Sequence, residues 1–154
     1  MTARQRPLPR AWLLTDERIG DRLWDAIRRL PRGSGVVVRH HNAPDRRALL
    51  RRIQRMARAR GLVAVDEAGG GVARVHDSRE LRQALTARAP LIFISALHET
   101  RSHPDRQPLP RMRAAALARL ARRRAYALGG MDARRFAAAR PLGFIGWGAI
   151  DAWL

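Results

Sequence analysis

Ala125–Asp132 reads AYALGGMD, and the Ala- and Arg-rich run Ala133–Ala139 follows it. A short apolar run, two adjacent glycines, an aspartate suited to capping and a stretch of good helix formers spell strand, tight turn and helix in that order. The same unit recurs outward in both directions. Ala11–Thr15, Gly35–Arg39, Leu62–Asp66, Val72–His76, Leu91–Ser95 and Phe144–Gly148 join Ala125–Leu128 as strand candidates, by length and by β-branched or aromatic content. Helices are expected over Glu17–Leu30, Asp45–Arg60, Ser78–Arg88, Met112–Arg123 and Asp132–Ala139. Asp45, Asp77 or Ser78, and Asp132 stand where N-caps belong. Leu49, Ile53 and Met56 form an apolar stripe that leaves Arg46, Arg47, Arg51, Arg55 and Arg58 largely outward. Near-continuous apolar strands separated by helices predict an α/β protein with a parallel sheet covered on its outer face.

The 154 residues suit one domain, with no internal repeat or low-complexity linker, but a complete eight-fold β/α barrel typically needs about 250. Any barrel here is abbreviated. The absence of cysteine excludes disulfides and thiolate metal sites. Met1–Arg10 is basic without an apolar run behind it, and no stretch is apolar for the length a bilayer requires, so a cytoplasmic, membrane-free protein is expected. A net charge of +18 ordinarily suggests nucleic acid. All 31 basic residues are arginine, however, beside abundant alanine, a composition that follows from GC-rich coding acting on solvated positions. Nucleic acid therefore ranks below small ligands.

In parallel β/α proteins the site lies at the carboxyl ends of the strands. Those ends carry Thr15–Asp16, Arg39–Asn42, Asp66–Glu67, His76–Asp77, the loop His98–His103, Gly129–Gly130 and Gly146–Gly148. All five histidines fall there, and histidine exchanges protons near neutral pH without special tuning. Gly129–Gly130 would let the backbone approach a phosphate, and Gly146 and Gly148 stand where barrels often complete such a site. Arg39 offers a bidentate anion contact, with His41 and Asn42 as further donors. Thr100 and Ser102 add hydroxyls for phosphate. Asp66, with Glu67, is the candidate for a magnesium ion accompanying pyrophosphate. His40–His41 lack the spacing of a helical metal pair, so no zinc site is read.

Ala11–Glu17 (AWLLTDE), Gly35–His41 (GVVVRHH), Val75–Leu81 (VHDSREL), Glu99–Asp105 (ETRSHPD), Ala125–Met131 (AYALGGM) and Gly146–Trp153 (GWGAIDAW) occur in the order of a known family. The chain resembles a shortened member of the thiamine phosphate synthase and TenI-like (thiazole tautomerase) family. The resemblance implies a TIM-barrel-like (β/α) fold with parallel strands, abbreviated to about seven by loss of a central segment between Asp66 and Val72. It implies small phosphorylated thiazole and pyrimidine substrates. The synthases couple a pyrimidine methyl pyrophosphate to thiazole phosphate with release of pyrophosphate and with help from magnesium, and the tautomerases aromatise thiazole phosphate by proton transfer. Arg39 looks like the arginine of the family's Gln-x-Arg-x-Lys pyrophosphate motif, in which Val37 and His41 replace the glutamine and lysine. Asp66 falls near the family's metal-binding Asn-Asp, Gly129–Gly130 match its thiazole-phosphate loop, and His76 matches the tautomerase acid/base. The family's lysine after its sixth strand is replaced within Arg101–His103.

Three classes follow. The first is a thiamine-biosynthesis enzyme of synthase or tautomerase type, with His76 or His103 moving protons. The second is a family member that binds a phosphorylated ligand without turnover, and the third is an arginine-rich nucleic-acid binder. An incomplete barrel would also leave sheet edges that favour self-association.

Overall fold

The computed structural model describes residues 7–154, so the first six residues of the basic N-terminal run lie outside the described residues. Seven strands form the sheet: β1 (Ala11–Leu14), β2 (Gly35–Val38), β3 (Val63–Asp66), β4 (Val72–Val75), β5 (Leu91–Ile94), β6 (Ala125–Ala127) and β7 (Gly146–Ala149). Every pairing is parallel, in the order β3-β2-β1-β7-β6-β5-β4. Helices α1 (Arg22–Arg29), α2 (Arg46–Arg60), α3 (Ser78–Thr86), α4 (Arg111–Leu120) and α5 (Ala133–Ala139) connect them.

The connection between β3 and β4 dictates the curvature. These strands stand at opposite ends of the ladder, yet only Glu67–Gly71 joins them. A flat seven-stranded sheet would hold its edges roughly 29 Å apart, at about 4.8 Å per strand. The link from Asp66 to Val72 reaches about 20 Å at full extension. The sheet must therefore curl until its edges approach, which is the abbreviated barrel anticipated from the sequence.

Strand periodicity sorts the side chains. Trp12, Leu14, Val37, Leu91, Phe93 and Tyr126 form an interior cluster, joined by the partly buried Val65, Val72 and Ile150. Trp12 meets Phe93 and Tyr126 edge-on, at centroid separations of 6.4 and 6.1 Å, an arrangement aromatic quadrupoles favour. Burial pushes the Tyr126 phenol up to about 12. The alternate strand residues face outward under the helices: Leu13, Val36 and Val38 against α1 and α2, and Val75, Ile92 and Ile94 against α3 and α4. Large interior rings demand small neighbours. A Cβ on Gly35 would sit 2.1 Å from the Trp12 ring, and one on Gly146 would sit 2.6 Å from Tyr126.

Helix boundaries depart from expectation where backbone geometry intervenes. Glu17–Leu30 is divided: Asp16 caps a 3-10 turn at Glu17–Ile19, Gly20 turns to φ +57°, and α1 begins at Arg22. The predicted run to Arg88 stops at Thr86 and that to Arg123 at Leu120, because Arg88, Arg122 and Arg123 adopt positive φ. The caps Asp45, Asp77 and Asp132 each accept a backbone N–H, from Ala48, Glu80 and Arg135. No helix among the described residues is long and apolar enough to cross a membrane.

Candidate functional site

A cleft of about 790 Å³ opens at the carboxyl ends of β1, β2, β4, β5, β6 and β7. Its side chains continue the inward-facing series of each strand by the two-residue period. Trp12 and Leu14 lead to Asp16, Val37 leads to Arg39, Val72 leads to Arg74 and His76, and Phe93 leads to Ser95. The cleft is thus the polar upper layer of the same interior that aromatic residues fill below.

Six arginines and four carboxylates line it. Two of the acids are already engaged. Asp16 receives Arg18 through Nε at 2.8 Å and Nη2 at 3.1 Å, and that guanidinium holds its carboxyl below the usual range. Asp132 accepts the Arg135 N–H at 2.7 Å at the start of α5. The remaining balance is cationic and suits an anionic ligand.

Arg39 is the least compensated of these cations. Its backbone N–H donates to Thr15 Oγ1 at 2.9 Å, and Thr15 Oγ1 shares a 2.8 Å hydrogen bond with Nδ1 of the buried His40. Its guanidinium Nε is buried without a hydrogen-bond partner. Burial lowers the Arg39 pKa, and repulsion from Arg74 lowers it further.

His76 is held at the end of β4 by the first turn of α3. Glu80 Oε2 accepts from the His76 backbone N–H at 2.6 Å and from the ring Nδ1 at 2.9 Å. A carboxylate only accepts, so the proton lies on Nδ1 and Nε2 is left available in the cleft wall. This carboxylate–imidazole arrangement fixes a tautomer and supports the imidazolium that forms when Nε2 takes a proton.

The loop after β5 and the turn after β6 form the opposite wall. The Leu97 and His98 N–H groups donate to the carbonyls of Leu128 and Gly129 at 2.9 and 3.2 Å. Gly129 and Gly130 adopt φ +98° and +57°, and a Cβ on them would lie 2.7 Å from Ala96 Cα and 2.6 Å from the Glu99 carbonyl oxygen. Both glycines are therefore required by backbone geometry and by the close approach of this loop. Across the mouth, Arg18 Nη2 donates to Ser102 Oγ at 2.9 Å, and Thr100 Oγ1 accepts from the His103 N–H at 3.1 Å.

Of the residues singled out in the sequence, Arg39, His76, Thr100, Ser102, His103, Gly129 and Gly130 line the cleft. His41, Asp66, Gly146 and Gly148 do not. Gly146 and Gly148 lie in β7, where Tyr126, Leu14 and Phe93 occupy the space a side chain would need, so the aromatic interior explains their identity. His41 turns to Glu67, donating from Nε2 to Oε2 at 2.7 Å. Asp66 follows Ala64 on the outward series, where its carboxylate pairs with Arg46 of α2 and accepts the Ala68 N–H at 3.0 Å. Magnesium takes oxygen ligands in an octahedral array. Asp66 is committed to a guanidinium, and no group of three His, Cys, Asp or Glu side chains converges among the described residues. The donor set does not fit the ion anticipated at Asp66.

Sequence reasoning missed Arg74, Glu80, Arg135 and Asp16. Arg74 was legible in principle: in VARVH it shares a strand face with Val72 and His76, two residues away on either side.

A solved structure titled thiamine phosphate pyrophosphorylase from Pyrococcus furiosus superposes on this chain with a TM-score of 0.74, covering 94% of this chain and 86% of that one at 14% identity. This chain has that enzyme's fold. The TIM-barrel-like α/β architecture expected for a thiamine phosphate synthase is therefore present, at seven strands. No protein-family model matches the chain, and no curated protein matches it in sequence.

Proposed function

We propose that the protein binds a phosphorylated thiazole in this cleft and transfers a proton on it, a reaction of the thiazole tautomerase type within thiamine biosynthesis. The observation that carries the proposal is His76: its Nδ1–H is held by Glu80 while Nε2 remains available in a cleft rich in arginine. In such an isomerisation Nε2 removes a proton from one ring position and returns it to another, so no net proton or electron is exchanged. Glu80 acts as a positioning residue, supporting the transient imidazolium. The arginines and the Gly129–Gly130 backbone orient the phosphate. His103, in the loop across the cleft, is the alternative proton carrier.

The fold shared with a thiamine phosphate pyrophosphorylase favours a second reading, pyrimidine transfer to thiazole phosphate. One assay separates the two. Non-aromatic thiazole phosphate, incubated with the chain alone, should aromatise, as followed by proton NMR in deuterated buffer. Adding pyrimidine methyl pyrophosphate and magnesium should yield no thiamine phosphate. Formation of thiamine phosphate without aromatisation would establish the second reading instead. His76→Ala should lower the proton-transfer rate by about 10²–10⁴-fold, and Glu80→Gln should lower it less while displacing its pH profile. A His76→Ala chain that retains the wild-type rate removes His76 from the mechanism.

A further inference from the structure

The departure of Asp66 from a metal role leaves the cationic side of the cleft to be explained. Arg39 and Arg74 rise from β2 and β4, the strands adjoining the shortened Glu67–Gly71 link, and both side chains enter the cleft. Arg74 is aimed rather than neutralised. Its Nε donates to Glu67 Oε1 at 2.8 Å, and no protein partner for its terminal nitrogens is found among the described residues. Glu67 also accepts from His41, so a single, largely buried carboxylate serves two cationic groups. Arg39 has no side-chain hydrogen bond among the described residues, and its Nε is fully buried. Two guanidiniums close enough to repel each other, one of them desolvated, make an arrangement that is unfavourable alone and becomes favourable when an anion bridges them.

We propose that Arg39 and Arg74 together form a receptor for a diphosphate group that needs no divalent cation. Each guanidinium presents paired N–H donors to phosphate oxygens, and the fixed charges supply the neutralisation a metal would otherwise give. Glu67 is the positioning residue that directs Arg74 into the cleft. The receptor shares its cleft with the proton-transfer site proposed above, but it does not depend on His76.

The test is calorimetric titration of the full chain with inorganic pyrophosphate, once in excess EDTA and once in magnesium. Binding should be retained in EDTA. Arg74→Gln and Arg39→Gln should each weaken it at least about tenfold, in the range expected for lost hydrogen bonds to a charged group. Arg55→Gln, on the exposed face of α2, removes the same charge elsewhere and should change affinity by less than about twofold. Arg74 is exposed, so its substitution leaves the core intact even if loss of Arg39 disturbs folding. Binding that requires magnesium, or that falls equally in Arg55→Gln, overturns the proposal, as does the absence of binding. Titrating His76→Ala keeps the two readings distinct: retained pyrophosphate binding with lost proton transfer supports both, whereas retained binding with undiminished proton transfer removes only the His76 mechanism.

Discussion

The barrel wall running β5-β6-β7-β1 and the rim where β3 faces β4 are held by different forces. In the continuous wall, Trp12, Phe93 and Tyr126 interlock, and glycines in β2 and β7 stand where the rings leave no room. At the rim, interior packing thins to the half-buried Val65 and Val72, and Val63 is exposed on its edge. Charge takes over there: Arg46 with Asp66, and Glu67 between His41 and Arg74. Shortening the connection to Glu67–Gly71 thus exchanged close packing for ion pairs, and it placed uncompensated guanidiniums beside the cleft. The two regions should respond differently to changes of volume and of charge.

Trp12→Ala should give the largest loss. The side chain is completely buried, touches two other rings and donates from Nε1 to the Pro9 carbonyl at 2.8 Å. A cost of about 3–5 kcal/mol is expected from the lost transfer energy and the cavity left behind, read as a lower urea midpoint. A loss comparable to that of a surface substitution would show that the rings do not hold this wall together.

Gly35→Ala adds one methyl group where the Trp12 ring already lies, and overpacking of this kind costs about 1–3 kcal/mol. It follows Trp12→Ala in size because ring and backbone can share the displacement. At the rim, Asp66→Asn removes the partner of Arg46 and weakens the cap on the Glu67–Gly69 turn. Its midpoint shift should be smaller than that of Gly35→Ala, because both groups are partly solvated. High salt should shrink the difference between Asp66→Asn and wild type while leaving the Trp12 and Gly35 effects in place. A rim substitution more damaging than Gly35→Ala would reverse the comparison.

These contrasts also mark what the sequence could disclose. The strands and most helix ends were legible because apolar runs, capping aspartates and glycines act locally. The ends at Arg88 and Arg123 were not, since positive φ at arginine carries no sequence signal. Arg39 and His76 were found as strand-end residues, and both continue an inward series. Asp66 was assigned to a metal because it too ends a strand, but the two-residue period places it on the outward face, under α2. Gly146 and Gly148 were read as phosphate-binding for want of any view of Tyr126 and Phe93, whose positions depend on how distant strands align. Thiamine-family resemblance supplied the fold, whereas strand parity would have supplied Arg74.

The smallest expected effect concerns the junction of the two regions, where Thr15 of β1's continuation meets His40 after β2. His40 is 7% exposed. Burial lowers its pKa from the ordinary value of 6.5, outweighing the opposing pull of Glu17 and Asp16, while Arg39 and Arg46 lower it further. In the unfolded chain this imidazole takes up a proton as the pH falls through about 6.5, but in the folded chain uptake is delayed. The unfolded state therefore binds more protons across this interval, and stability declines as the solution is acidified from neutrality toward about pH 5. His98 contributes in the same direction, through burial and then Arg135. The acids with depressed pKa values, Asp16 and Asp66 among them, lose their contribution only at lower pH, below the ordinary carboxylate value of 3.8. Urea midpoints at neutral pH and near pH 5 should accordingly fall in the wild type. They should fall less in His40→Gln, whose amide can still meet Thr15, and least when His98→Gln is added. Equal slopes in all three chains would place the acid sensitivity elsewhere and leave the junction held by packing alone.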